Sequence, residues 1–347
     1  MPIVVLKLPD VKGYSENRPT HCPSCQGEIL QRWGGSVRTI RDHQVRAAIV
    51  YRYRCCRCRH TFRHYPEGID QAQQSQRLRK LAGMCWILGL SYRGIAAVMA
   101  VFGVGISRMS AWRDAQEEAK RLRRSRVWTP VRVLGVDGAY VRGWGGIQPV
   151  VVAVDMGEGK PVEIACLDEH NPQAVMRWLE PLVKQLGVSV IVTDDLAIYR
   201  GVAEKLDLEQ QVCQFHVRRW IGRTLHELRE SFPLEWLWAI DEVKRLLADL
   251  PPDGGQRLLE LWKQIPTHRS RNEVSRTPLE RLRDLLIRMS EHWSSYRVFD
   301  WQKDVPWTNN GTEQVIGRMK VRSRTVRGYK TKAGMLAGLM LAGSGVY

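Results

Sequence analysis

Two short runs rich in Val, Ile and Leu, VRVLGVD and VSVIVTD, each stop on an acid, at Asp137 and Asp194. Runs of that length and branching read as buried strands. A carboxylate at the C-terminal end of such a strand lies on the rim of the sheet, where open α/β folds place their ligands. A third acid, Glu313 in TNNGTEQVIGRMK, opens a predicted helix that leads into a strongly basic stretch. Three carboxylates brought to one place repel one another, and they make chemical sense as ligands of hard divalent cations such as Mg²⁺. The pattern points to metal-assisted phosphodiester chemistry on nucleic acid.

The charge balance agrees. The 347 residues carry 53 Lys and Arg against 36 Asp and Glu, a net charge of +17 with a pI near 9.8. Such an excess favours a polyanionic partner, DNA or RNA by default. No run approaches the ~18 apolar residues of a membrane span. MPIVVLKLPDVKGY lacks a secretory signal, so the expected location is cytoplasmic, with the protein on the nucleoid when bound to DNA. Eight cysteines in that setting argue for metal rather than for a disulfide framework.

Residues 1–20 read as a leader. Residues 21–65 contain Cys22-Pro-Ser-Cys25 and, after an alternating hairpin-like spacer, Cys55-Cys56-Arg57-Cys58. Two C-x-x-C knuckles on hairpins describe a zinc ribbon, with four thiolates closing a structural Zn²⁺ site. Cys55 preserves the two-residue spacing and Cys56 competes with it, so the predicted ligands are Cys22, Cys25, Cys55 and Cys58. Arg52, Arg54, Arg57, Arg59 and Arg63 crowd the element, consistent with phosphate contacts.

Residues 71–126 read as helical, with Ser91 as an N-cap and Gly103 and Gly105 in a turn. A helix, a Gly-containing turn and a second helix with Arg108 and Arg113 near its start predict a helix-turn-helix DNA-binding module. KRLRRSR and Trp128-Thr129-Pro130 mark the boundary beyond it.

From 131 three β-rich runs separated by Gly and Pro turns suggest an antiparallel meander. A helix (PQAVMRWLEPLVKQLG), a strand (VSVIVTDD), a helix (LAIYRGVAEKLD) and a strand around EQQVCQFH follow. That order predicts an α/β fold with an RNase H-like mixed sheet over 131–216 and 306–347. Residues 217–305 show a helical pattern and read as an insertion.

Asp137, Asp194 and Glu313, in this order, resemble the acidic triad of DDE transposases. GVDGAYV, IVTDDLAIYRGVAEKL, CQFHVRRW and NNGTEQVIGRMKVRSRTVRGYKT resemble the matching blocks of bacterial insertion-sequence transposases with a helical insertion, related to the Mutator-like group. The resemblance implies two Mg²⁺ (or Mn²⁺) ions held by the three acids, hydrolysis at the element's end, and strand transfer at the same site. It implies DNA partners, namely terminal inverted repeats and target DNA, and a homo-oligomer that synapses two ends. A catalytically silent DNA-binding regulator derived from a transposase, or another RNase H-like nuclease, are the rival readings.

Several residues carry open alternatives. Asp195 follows Asp194 and competes with it as a ligand. Cys213-x-x-His216 resembles the C-x-x-H motif of the Mutator-like group: the pair offers soft-metal ligands, or His216 contacts DNA phosphate, or the two are a buried Cys and a capping His. Asn309 and Asn310 either contact phosphate or cap the helix of Glu313. Arg318, Lys320, Arg322, Arg324, Arg327, Lys330 and Lys332 form a basic run with no acid, predicting a salt-sensitive phosphate track. Trp220, Trp236, Trp238, Trp262 and Trp293 lie in or near the insertion, each a candidate to stack on a flipped base or, equally, a core aromatic.

Overall fold

The computed structural model describes residues 8–126, 130–267, 276–326 and 328–345. Residues 1–7 of the expected leader, Trp128 and Thr129 of the expected boundary, and Arg327 lie outside them. The chain divides into two compact units: Met1–Arg124, Arg142–Gly146 and Arg318–Tyr347 in one, Ser125–Val141 and Ile147–Gly317 in the other.

In the first unit, β1 (Leu30–Thr39), β2 (Ala47–Cys55) and β3 (Thr61–His64) form an antiparallel sheet in the order β1-β2-β3. Its core is small: Ile40, Ala48 and Ile69 are buried together, with Val11 and Tyr65 packed against them, and Val50 and Tyr53 of β2 are buried as well. Helices α1 (Gln76–Ile87), α2 (Tyr92–Val101) and α3 (Arg108–Arg126) follow. Ser75 and Ser91 cap the first two, accepting the N–H of Leu78 and Gly94 at 3.1 Å each.

The last helix, α11 (Lys332–Ser344), was expected with the catalytic sheet but packs in the core of α1–α3: Leu341 and Ala342 share a cluster with Leu78, Trp86, Ile95 and Met99. Its small residues explain the fit. A Cβ on Gly338 would stand 2.9 Å from the Trp86 ring and 2.7 Å from Tyr329.

In the second unit, β4 (Val133–Gly143), β5 (Gly146–Asp155), β6 (Lys160–Ala165), β7 (Val190–Thr193) and β8 (Glu209–Val212) form a sheet in the order β6-β5-β4-β7-β8. β5 and β6 run antiparallel, while β4, β7 and β8 pair in parallel. Third, second, first, fourth, fifth is the RNase H-like strand order, and the sheet is mixed as the sequence predicts. Helices α4 (Pro172–Leu186) and α5 (Ala197–Lys205) bury Val175, Leu179, Tyr199 and Val202 against Leu134, Val136 and Ile191. The strand expected over EQQVCQFH stops at Val212, because Cys213 is already the N-cap of α6 (Gln214–Arg229).

The insertion is helical among the described residues. α6, α7 (Leu237–Asp249), α8 (Gly254–Gln264) and α9 (Pro278–Glu291) enclose their own core, with Ile221, Leu225, Val243, Leu258, Leu282 and Leu286 buried. α10 (Asn310–Thr325) then returns to β4. Gly135 makes that approach possible: a Cβ there would fall 2.2 Å from Thr312 Oγ1, 2.4 Å from Met156 Sδ and 2.8 Å from Asn309 Oδ1. Gly135→Ala must push α10 off the strand, so we expect it to cost about 2–3 kcal/mol by overpacking. Urea denaturation checks this, and an unchanged midpoint would contradict the close approach.

Candidate active site

The strand register assembles the first two acids. β4 and β7 pair in parallel with Val133 opposite Val190 and Gly135 opposite Val192. Asp137 lies two residues past Gly135 on β4, and Asp194 follows the last residue of β7, two past Val192, so both acids lie just beyond the paired stretch of two neighbouring parallel strands. Burial pushes both carboxyls up. Asp137 rises to about 7, with Asp194 and Glu169 adding repulsion. Asp194 rises to about 6 against the Leu196 N–H that stabilises its charge.

Asp195 has a different fate. Its buried carboxylate accepts Arg200 Nη2 at 2.9 Å and Arg288 Nη2 at 2.6 Å. Those two pairs tie the loop after β7 to α5 and to α9.

Glu313 sits in the first turn of α10, its N–H bonded to Asn309 O at 3.1 Å. Asn309 anchors that turn: buried, it donates Nδ2 to Val136 O at 3.1 Å and its backbone N–H to Cys213 Sγ at 3.3 Å. Asn310 is exposed. Glu313 is not grouped with the two aspartates. Its nearest ligand-type neighbours are His216 and Cys213, the three ligand atoms lying within 4.8 Å of one another, with Nδ1 of His216 3.8 Å from Glu313 Oε1. The neighbouring Cys213 thiol raises His216 to about 9, helped by Glu313 and Asp137. Burial pushes the Cys213 thiol up, but His216 and the Asn309 N–H outweigh it and hold it below its usual value.

A fourth carboxylate, Glu169, escapes the sequence reading. It precedes α4, accepts the hydroxyl of buried Tyr199 at 3.2 Å, and repels both Asp137 and Asp194. Gly138 leaves room for it, since a Cβ there would meet Glu169 Oε2 at 2.0 Å. No strand-end signature marks Glu169 in the sequence; the glycine directly after Asp137 is the one hint.

A groove beside Asp194 and His216 is lined by Arg219, Trp220, Arg223 and Arg288. His216, Arg219, Trp220 and Arg223 are spaced i, i+3, i+4, i+7 on α6, which places them on one face. That spacing is readable in CQFHVRRWIGR. Arg288 lies over the Trp220 ring at 4.4 Å. Of the five insertion tryptophans Trp220 alone lines this groove. Trp293 is buried and donates to Pro251 O at 2.8 Å, Trp262 packs under Arg283 at 4.0 Å, and Trp236 and Trp238 pack together with ring centroids 5.7 Å apart.

Residues 169–337 match the Transposase IS66 family. The match begins at Glu169 and includes Asp194, Cys213, His216 and Glu313. The resemblance to insertion-sequence DDE transposases therefore holds, and a function of the DNA-transposase type is supported. A comparison with curated proteins finds no match. Among solved structures, the catalytic core domain of BIV integrase is 16% identical over 47% of this chain and 97% of that chain, with a TM-score of 0.20. The simian T-cell lymphotropic virus intasome in complex with PP2A regulatory subunit B56 gamma is 14% identical over 58% of this chain and 73% of that chain, with a TM-score of 0.23. The strand order β6-β5-β4-β7-β8 defines the fold. No helix among the described residues is long and apolar enough to cross a membrane.

The four ribbon cysteines do converge. Cys22 Sγ lies 3.7 Å from Cys58 Sγ, and Cys25 Sγ 3.6 Å from Cys55 Sγ. A tetrahedral Zn²⁺ with bonds of about 2.3 Å separates its sulfurs by roughly 3.8 Å, so the cluster is compatible with structural zinc. Cys56 is exposed and outside it. Two matching knuckles build the cluster: Gln26 N–H bonds Cys22 O, Arg59 N–H bonds Cys55 O, and both Gln26 and Arg59 adopt a positive φ.

The expected phosphate track is shorter than its charge run. Arg322 is buried, with its guanidinium 4.2 Å over the Trp86 ring and donating to Leu90 O at 3.0 Å and Thr325 Oγ1 at 2.8 Å. Arg318 donates twice to Gly343 O, at 3.0 and 2.7 Å. Arg322 is thus a packing residue rather than a surface phosphate contact, and Arg318 secures the end of α11. Arg108, Arg113, Arg324 and Lys330 are exposed and Lys320 is half-buried.

Proposed function

We propose that this chain is a DNA transposase that cuts and rejoins insertion-sequence ends, with Asp137, Asp194 and Glu313 as ligands of Mg²⁺ (or Mn²⁺). The reading is supported by the two acids lying just beyond the paired stretch of neighbouring parallel strands, close enough for Asp194 to raise the Asp137 carboxyl. Neither aspartate is paired with a lysine or arginine among the described residues, and burial with mutual repulsion raises both carboxyls. An all-oxygen donor set under that strain fits a hard divalent cation. Bound there, such a cation supplies an activated oxygen nucleophile and stabilises the leaving oxygen on phosphorus.

The chain's own residues have distinct tasks. Gly135 and Asn309 fix the turn that presents Glu313. Arg219, Arg223 and Arg288 line the groove beside Asp194 and would hold the phosphates of the strand to be cut. Asp195 positions Arg288 and leaves Asp194 as the ligand. His216 keeps a positive charge between Glu313 and Asp137, within reach of a scissile phosphate. Glu169 adds a fourth carboxylate that acts on both Asp137 and Asp194. The zinc ribbon over 21–65 and the helix-turn-helix over 71–126, with Arg108 and Arg113 at the front of α3, would read the terminal repeats. Joining two ends calls for a homo-oligomer on DNA.

A nicking assay on terminal-repeat duplex with Mg²⁺ tests the assignment. Asp194→Asn is expected to lower cleavage by at least about a hundredfold. Asp195→Asn is expected to keep cleavage within about tenfold but to melt earlier, because it orphans two arginines. The opposite ranking would sink the choice of Asp194, and absence of Mg²⁺-dependent cleavage in the unaltered protein would sink the enzyme itself.

A further inference from the structure

Cys213, His216 and Glu313 bring a sulfur, a nitrogen and an oxygen ligand within 4.8 Å of one another, at a place that the hard-cation chemistry above uses only through Glu313. Cys213 is the N-cap of α6 and His216 lies three residues on, so both side chains face the same way. Glu313 arrives from the first turn of α10, held there by Asn309, whose backbone N–H also bonds Cys213 Sγ. His216 Nδ1 and Glu313 Oε1 are buried atoms with no hydrogen-bond partner. Their 3.8 Å separation is too long for a hydrogen bond. It is within about half an ångström of the roughly 3.3–3.5 Å nitrogen–oxygen edge of a tetrahedral zinc site with Zn–N and Zn–O bonds of about 2.0–2.2 Å.

We propose that these three residues form a second metal site, selective for a thiophilic divalent cation such as Zn²⁺, which draws Glu313 away from the aspartate pair. Thiolate and imidazole select zinc, whereas Mg²⁺ takes oxygen ligands and dehydrates reluctantly. Three protein ligands leave a fourth position open, unlike the closed four-cysteine cluster. A zinc ion held on the His216 side engages the carboxylate that the Mg²⁺ reaction needs, so zinc acts as a brake on cleavage. This regulatory consequence rests on the function proposed above; the site itself does not.

The test counts zinc in the full chain after dialysis against dilute Zn²⁺ with Mg²⁺ in large excess. Two zinc ions per chain are expected in the unaltered protein, and one in Cys213→Ser and in His216→Gln. Because Cys213 is buried and its variant is at risk of misfolding, the half-buried His216 supplies the independent variant, with circular dichroism confirming the fold of each. One zinc per chain in the unaltered protein overturns the site, as does retention of two in a folded His216→Gln. Nicking of terminal-repeat DNA by the same preparation separates the two ideas. Two zinc ions, with no Mg²⁺-dependent nicking even after the protein is returned to one zinc by limiting chelation, refutes the enzyme and leaves the site, and nicking by a protein that binds only one zinc even at excess Zn²⁺ does the reverse. Nicking that added zinc leaves undiminished in a two-zinc protein overturns the brake.

Discussion

Asp137→Asn is expected to abolish cleavage and, in the absence of divalent cations, to make the protein more stable. The two effects share one cause. Asp137 is pushed up to about 7 by burial first and then by Asp194 and Glu169, from an ordinary value of 3.8. The folded state therefore holds the proton more tightly than the unfolded chain. Stability from this group is fully present below pH ~4 and is lost as pH rises towards ~7. Asparagine never ionises, so the variant avoids a loss on the order of 1–3 kcal/mol above neutrality. Thermal melts with chelator at about pH 5 and about pH 8 should differ less for Asp137→Asn than for the unaltered protein. Added Mg²⁺ should stabilise the unaltered protein at the higher pH and leave the variant unmoved. Cleavage should fall by at least about a hundredfold. A destabilised variant with its Mg²⁺ response intact would mean that Asp137 is a structural carboxylate.

The parts of this site that were legible in the sequence are those fixed by local pattern. Branched runs ending in acid located Asp137 and Asp194, but only Asp194 follows the last residue of its strand; β4 runs on through Asp137 to Gly143, beyond the end of its parallel pairing with β7 at Gly135. The C-x-x-C spacing located the ribbon cluster, because each knuckle is a short local turn. What could not be read depends on partners far along the chain. Asp194 and Asp195 follow the same strand and differ only because Arg200 and Arg288 claim the second, and Arg288 comes from α9. Glu169 needs the missing side chain of Gly138, a contact between a strand and a loop. The basic run after Glu313 was read as charge alone, without helical phase. On α10, Met319, Arg322 and Ser323 fall on the buried face, and a guanidinium there packs on Trp86 instead of facing solvent. α11 likewise reads as a packing helix from its small residues, but nothing local says which helices it packs against.

Cys25→Ser is expected to unfold the ribbon while leaving the mixed sheet folded. β1 is exposed along nearly its whole length, including Trp33 and Val37. Below it the buried apolar residues other than the cysteines are few: Ile40, Ala48, Val50, Tyr53 and Ile69. A core of that size supplies too little to order a three-stranded sheet, whereas a four-thiolate zinc site contributes on the order of 10–16 kcal/mol. Serine at 25 removes one thiolate from a set whose sulfurs lie 3.6 and 3.7 Å apart in pairs, and exposed Cys56 lies outside that set. β4 to β8 have their own core in Leu134, Val136, Leu179 and Ile191 and do not depend on the ribbon's metal. Hydrogen exchange reads both regions at once. Amides of β1–β3 should lose protection by at least about a thousandfold, equivalent to about 4 kcal/mol, and those of β4, β7 and β8 should keep theirs. Binding to terminal-repeat DNA should weaken with the loss of the ribbon arginines, and its salt dependence should become shallower, since fewer phosphates are neutralised. Unchanged protection in β1–β3 would show that the hairpins hold themselves together and that the cysteine cluster has another role.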